Sequence, residues 1–184
     1  NSPILLNGIN IHIAKGQKIA IVGESGSGKS TIVKLLLGLY EPMMGNVQFN
    51  GINMEELQEV VDQTEKVAHP FTVFTLGRIC YQKNPTLFNT IAELLPDVRF
   101  VWIGDGELRE KLKSKNIEIS GWVDRTTAIK YAVNADVFLL PSRWEGLPIS
   151  LLESMYMRKV CVVSNVIGNR DVIHNGENGF VCSD

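Results

Sequence analysis

Beyond residue 70 the sequence repeats one pattern: a short apolar run, a break, then apolar residues at helical spacing. The runs fall at 71–75, 100–103, 137–140 and 160–163. Between them stand three helix starts: Asn84-Pro85 ahead of Leu87, Phe88, Ile91 and Ala92, Asp124 ahead of Ala128, Ile129 and Ala132, and Pro148 ahead of Leu151 and Leu152. Asn and Asp accept the free N–H groups of a first helical turn, and Pro suits that turn because it has no N–H to satisfy. When strands alternate with helices, each helix carries the chain back across the sheet. This half therefore predicts a parallel sheet wrapped by helices.

The first 57 residues follow a different grammar. Residues 9–13 alternate as Ile-Asn-Ile-His-Ile, the chain pauses at Lys15-Gly16-Gln17, and the apolar run 19–22 follows. That pattern predicts a half-buried strand, a tight connection and a more buried strand. The second strand would lead into the Gly-rich segment 23–31, after which Ile32, Val33, Leu35, Leu36, Leu37 and Leu39 predict a helix stopped by Gly38 and Pro42. Residues 45–51 predict one more short strand closed by a turn, and the acidic stretch 55–66 predicts a linker or an adapting helix. The expected organisation is a segment at 1–57, a junction at 58–70 and a second domain at 71–184.

Composition narrows the function classes. The 184 residues are 45% hydrophobic and 21% charged, enough for one full core or two small ones. A net charge of −2 removes the electrostatic argument for a nucleic-acid or polybasic-membrane partner. No apolar run approaches the ~20 residues of a membrane span. The opening Asn1-Ser2-Pro3-Ile4 carries no basic-then-apolar signal, so a cytoplasmic location is expected. Cys80, Cys161 and Cys182 lie too far apart for a metal knuckle and are expected to be reduced and buried. His12, His69 and His174 form no metal-ligand pattern.

Residues 23–30 satisfy G-x-x-x-x-G-K-S between an expected strand and an expected helix. Glycines at such spacing let backbone N–H groups curl around phosphates, and the following helix turns its positive end toward them. Gly23, Gly26 and Gly28 would shape the loop, Lys29 would reach terminal phosphates, and Ser30 would hold Mg²⁺. With Leu5-Leu6-Asn7-Gly8-Ile9, the run 16–23, Leu39-Tyr40-Glu41-Pro42 and residues 45–51, the stretch from 4 to 57 resembles the start of an ABC transporter ATPase domain. The resemblance implies ATP with Mg²⁺ at Gly26, Gly28, Lys29, Ser30 and Thr31, with Ser30 the metal-binding residue. It then fails, because there is no Leu-Ser-Gly-Gly-Gln signature, no apolar run ending in Asp-Glu and no switch histidine. ATP binding is expected, and transporter-style hydrolysis is not.

The second half carries Glu145 and Glu153 with seven residues between them. Their Cα atoms would lie about 12 Å apart if the whole run were helical, a spacing for two hydroxyl-binding sites on one elongated ligand rather than a shared-proton pair. Pro148 in the first helical turn would leave N–H groups facing the loop. Around this pair, in order, stand Leu76-Gly77-Arg78-Ile79 with Lys83-Asn84-Pro85, then Trp102-Ile103-Gly104-Asp105-Gly106-Glu107-Leu108 and Ile119-Ser120-Gly121-Trp122-Val123. Ala135-Asp136 with the run 137–142 and Asn175-Gly176-Glu177-Asn178-Gly179-Phe180 complete the series. From about 72 to 183 the sequence resembles the C-terminal, donor-binding domain of a retaining GT-B glycosyltransferase. That resemblance implies a Rossmann-like fold and a UDP- or GDP-sugar ligand. Arg78 and Lys83 would neutralise its diphosphate and assist its departure, and Glu145 would contact the sugar, giving three catalytic candidates. Trp122 and Val123 would line the base pocket, the N–H groups of Gly146 and Leu147 would face hydroxyls or phosphates, and Glu153 would hold the ribose.

Joined, the two resemblances describe a chimera, natural or engineered. Its fold class would be α/β: a Rossmann-like parallel sheet with flanking helices, preceded by a P-loop β-α segment with short strands. The N-terminal half of the glycosyltransferase cleft and the helix after the Asn-Gly turn have no counterpart in the sequence, so nucleotide binding without a full catalytic cycle is expected. The partners would be small-molecule nucleotides, with an acceptor domain from elsewhere or self-association. The alternatives are a glycosyltransferase fragment completed by a partner, a P-loop nucleotidase, and an inert design. The P-loop strand could join the second sheet or form a small β layer with its neighbours.

Overall fold

The computed structural model describes residues 6–13, 17, 19–24, 26–36, 40, 42–49, 52–146 and 148–183, with backbone alone at 30, 49 and 52–56. The chain divides into two compact units, Asn1–Met54 and Glu55–Asp184.

In the first unit helix α1 (Lys29–Leu36) follows the Gly-rich loop as expected, while Leu37, Gly38 and Leu39 lie outside the described residues. Strands β1 (Gln48–Phe49) and β2 (Ile52–Asn53) pair antiparallel, so the single strand expected at 45–51 is one arm of a hairpin. The strands expected at 9–13 and 19–22 do not form among the described residues. Ile9, Ile11, Ile13, Ile19 and Ile21 are exposed, and Val22 is 86% exposed. A strand needs a neighbour for its N–H and C=O groups and a surface for its apolar face. Among the described residues this unit offers neither, and none of its described hydrophobic side chains is buried.

The second unit opens within α2 (Met54–Gln63), in the stretch expected as linker or adapting helix. Leu57 is fully buried, and the Tyr156 hydroxyl donates to Gln58 Oε1 at 2.7 Å. There follow β3 (Thr72–Leu76), α3 (Pro85–Leu94), β4 (Arg99–Ile103), β5 (Ile117–Ile119), α4 (Arg125–Val133), β6 (Val137–Leu140), α5 (Ile149–Tyr156), β7 (Val160–Ser164), α6 (Ile167–Arg170) and β8 (Phe180–Cys182). The six strands β3 to β8 form one parallel sheet in the order β5-β4-β3-β6-β7-β8. All six come from residues 72–182, and among the described residues no strand of the P-loop segment belongs to this sheet.

Alternate side chains leave the sheet on opposite faces. Phe74, Val101, Phe138 and Leu140 pack with Ala128 and Ala132 of α4 and Leu151 of α5, whereas Val73, Phe100, Trp102 and Leu139 pack with Phe88 and Ala92 of α3. Asp124 caps α4 by accepting from the Thr127 N–H at 3.0 Å, and the Thr127 hydroxyl and N–H hold its carboxyl below the usual range. Lys159 closes the other end of α4, donating to the carbonyls of Val133 and Ala135 at 2.8 and 2.6 Å, while burial pushes its ammonium pKa down. Of the cysteines expected to be buried, only Cys161 is. Cys80 is half-buried and Cys182 exposed, the latter because β8 lies at the sheet edge.

Candidate functional site

The strand order reverses between β3 and β6, the usual place for a ligand on an open parallel sheet. The loop after β3 carries Arg78, a 3-10 turn at Tyr81–Lys83, and Asn84 in a left-handed conformation with φ 54° before Pro85 starts α3. The loop after β6 carries Pro141 to Gly146 and ends at Pro148, which caps α5 one position before the first helical residue. The run from Glu145 to Glu153 is therefore helical only from Ile149 onward, with Glu145 in the loop.

These two loops bring Lys83 and Glu145 together. Lys83 Nζ donates to Glu145 Oε1 at 2.6 Å, and the side chains are only 16% and 5% exposed. The Ser142 hydroxyl donates to the same oxygen at 2.6 Å, and Gln82 Nε2 donates to Oε2 at 3.3 Å. A nearly buried carboxylate is thus satisfied by one cation and two neutral donors, as burial of a charge demands. Arg78 stands apart in exposed surroundings, its Nε donating to Glu107 Oε2 at 3.0 Å. On α5, Glu153 Oε1 accepts from Nε and Nη2 of Arg125 at 3.2 and 3.0 Å. Trp122 is 75% exposed, whereas Val123 is half-buried against the core beneath α4. Leu147 lies outside the described residues, and Gly146 is exposed.

Close backbone packing fixes the loops. Trp102 Nε1 donates to the Gly77 carbonyl at 2.9 Å, and a Cβ on Gly104 would stand 2.2 Å from that oxygen. A Cβ on Gly168 would stand 2.3 Å from the Gly146 carbonyl oxygen and 2.6 Å from that of Glu145, so α6 supports the Glu145 loop directly. Beside it a pocket of about 330 Å³ opens at the ends of β6 and β7, lined by Ser142, Arg143, Ser164 and Asn165 together with Asn84. Sequence reasoning assigned no role to Gln82, Ser142, Arg125, Arg143 or Glu107, although Glu107 and Ser142 stand within the ordered motifs, because each acts through a partner distant in sequence or through a local turn.

In the first unit Gly26 and Gly28 take φ of 85° and 87°, which lets the loop curl ahead of α1. Lys29 Nζ arcs back to the carbonyls of Gly23 and Glu24 at 2.7 and 2.5 Å and to Ser27 Oγ at 3.4 Å. Its ammonium is therefore held by atoms of its own loop. Thr31 lies in the first turn of α1, and the Ser30 side chain expected to bind metal lies outside the description. Among the described residues no three His, Cys, Asp or Glu side chains gather as a metal site, and no helix is long and apolar enough to cross a membrane.

An open parallel α/β sheet takes its ligand at the reversal point of the strand order, and that is where the Lys83–Glu145 pair stands. The glycosyl transferases group 1 family matches residues 57–184, and the chain belongs to that family. It is 34% identical over 163 residues to the Escherichia coli UDP-Gal:alpha-D-GlcNAc-diphosphoundecaprenol alpha-1,3-galactosyltransferase, an alignment covering 77% of this chain and 42% of that protein. The N-terminal part is similar instead to the mitochondrial iron-sulfur clusters transporter ABCB7 of Oryzias latipes, 51% identical over 53 residues, or 29% of this chain and 7% of the transporter. Among solved structures, Anabaena HepE in complex with UDP-glucose shares the fold with a TM-score of 0.55 and 19% identity, over 70% of this chain and 39% of that one. The chain spans less than half the length of each.

Proposed function

We propose that the second unit binds a nucleotide sugar at the reversal point of its sheet, in the manner of the donor domain of a retaining glycosyltransferase. The Lys83–Glu145 pair carries this reading, because it sets a cation for the diphosphate beside a carboxylate for the sugar hydroxyls. Arg78 supplies the second positive charge. Its pair with Glu107 is exposed, and an exposed pair is given up at small cost when a diphosphate arrives. Glu153 takes the ribose, Trp122 and Val123 face the base, and the N–H groups of Gly146 and Leu147 meet the phosphates or hydroxyls. The UDP-glucose held by HepE and the UDP-Gal named for the bacterial relative support a uridine or related nucleotide, with GDP-sugars as the other candidate.

In the same reading the first unit is a fused ATPase-type segment. Its loop has glycine conformations and a lysine that suit the phosphates of Mg-ATP, and Ser30 would be the residue that binds the metal. The chain alone binds donor, and transfer requires an acceptor surface from another domain or another copy. The test is thermal unfolding of the whole chain with UDP-glucose, GDP-mannose and Mg-ATP in turn, since a ligand that binds only the native state raises stability by RT ln(1 + [L]/Kd). A rise with one of the nucleotide sugars that Lys83→Ala abolishes is the expected result. No rise with either sugar nucleotide overturns the donor reading. A rise with Mg-ATP that Lys29→Ala removes would assign the loop of the first unit separately.

A further inference from the structure

The loops after β3 and β6 are fastened by a second set of contacts centred on Arg143, which the donor reading does not use. The Arg143 N–H donates to the Gln82 carbonyl at 2.8 Å, and Gln82 Nε2 donates back to the Trp144 carbonyl at 3.0 Å. The Arg143 guanidinium lies 4.5 Å from the centre of the Tyr81 ring, and that ring packs on Trp144 at 5.9 Å. Arg143 Nη2 also donates to Asn84 Oδ1 at 3.1 Å. Among the described residues no carboxylate pairs with Arg143, so its charge is directed to an aromatic face and an amide.

Asn84 is where this arrangement acts. It stands between Lys83 and α3 with φ 54° and ψ 58°, and its side chain makes no cap hydrogen bond to the helix it precedes. Asn tolerates the left-handed region better than most residues, yet a Cβ there still costs energy that glycine avoids. The side chain that would ordinarily cap the helix is instead tethered to Arg143. Fixing Asn84 fixes the angle at which Lys83 leaves the turn, and Lys83 meets Glu145 across the same two loops.

We propose that Arg143 is a positioning residue of the nucleotide-sugar site: through Asn84 and Tyr81 it holds the turn in the conformation that sets Lys83 against Glu145. The proposal rests on the donor reading above. The nucleoside end of a donor, assigned to Trp122, Val123 and Glu153, lies outside the clasp, and a nucleoside monophosphate lacks both the sugar and the second phosphate, so it reports the binding that the clasp governs least. Calorimetric titration of the whole chain with UDP-glucose and GDP-mannose, and with UMP and GMP, separates the two ends for the wild type, Arg143→Met, and Asn84→Gly combined with Arg143→Met. The expected result is that Arg143→Met weakens the nucleotide sugar about ten-fold, as a misplaced contact does, and leaves the monophosphate within about two-fold. Glycine takes the left-handed conformation without a tether, so the double variant should recover most of the loss. Unchanged affinity in Arg143→Met overturns the proposal. A double variant as weak as the single overturns it too, because Arg143 would then be holding the ligand with its own charge. Equal losses for sugar nucleotide and monophosphate would mean general disruption and also overturn it. A wild-type chain that takes neither nucleotide sugar fails the donor reading itself, a result visible before any variant is compared.

Discussion

The segment at 23–31 and the loop at 77–84 each join glycine, a basic side chain and a following helix, but among the described residues only the second follows a strand of a sheet. Lys29 reaches no farther than its own loop, to Gly23, Glu24 and Ser27. Lys83 reaches across 62 residues of sequence to Glu145, whose loop is braced in turn by Gly168 of α6. The chemistry of a phosphate loop is local, whereas the placement of a partner charge is set by strands and helices that meet through a core. The second unit has that core, and the described residues of the first do not.

The largest effect expected from this contrast is at Trp102. It is fully buried against Phe88 and donates to the Gly77 carbonyl, so Trp102→Ala removes both packing and the hydrogen bond under the candidate site. Urea unfolding should report a loss of about 3–5 kcal/mol. A loss under about 1 kcal/mol would break the claim that the sheet core carries the stability. Next comes Gly168→Ala. The new Cβ would meet the carbonyl oxygens of Gly146 and Glu145, and the backbone has to shift at a cost of about 1–3 kcal/mol. The same titration that tests the donor site should show sugar-nucleotide affinity falling with it. If stability falls and affinity does not, α6 braces the fold but not the Glu145 loop.

Legibility in the sequence divides along the same line. Strands β3, β4 and β6 are interior to the sheet and buried on both faces, and β7, also interior, buries Cys161 and Val163 on one face, so all four read as largely apolar runs. Strands β5 and β8 lie at the edges with three residues each, none of them fully buried, and are too short for a run to mark them. Arg78, Lys83 and Glu145 are legible through ordered motifs. Their neighbours Gln82, Ser142, Arg125 and Arg143 are not, since most of these contacts join residues 28 to 63 apart in sequence. In the first unit the alternation at 9–13 specifies which side chains would share a face. It does not specify a neighbouring strand, and without one the pattern yields no strand.

A smaller effect tests the depth of the second core by pH. Burial pushes the Cys161 thiol up to about 12 from an ordinary value near 9. Above pH 9 the unfolded chain loses this proton while the folded chain keeps it, so the native state binds more protons and stability falls as pH rises toward 12. The slope from this group is about 1.4 kcal/mol per pH unit. Cys161→Ala should flatten the alkaline limb measured by urea midpoints between pH 8 and 10.5. Native alkylation at pH 8 should label exposed Cys182 and spare Cys161. Rapid labelling of Cys161 would mean that β7 opens without global unfolding.

The smallest effect is expected at Val22, and its smallness is the point of the comparison. In a phosphate-loop domain with a formed sheet, the residue just before the loop is interior, and Val→Ala there would cost on the order of 1 kcal/mol or more by lost burial. Here Val22 is 86% exposed and outside any strand, so Val22→Ala should move the urea midpoint by no more than about 0.5 kcal/mol. Adding Mg-ATP sharpens the measurement. If the variant stays neutral with nucleotide present, the loop binds through local backbone and Lys29 alone. If Val22→Ala becomes costly only in the presence of Mg-ATP, the nucleotide is supplying the order that a neighbouring strand would otherwise give, and the contrast between the two units becomes one of ligand-dependent against intrinsic folding.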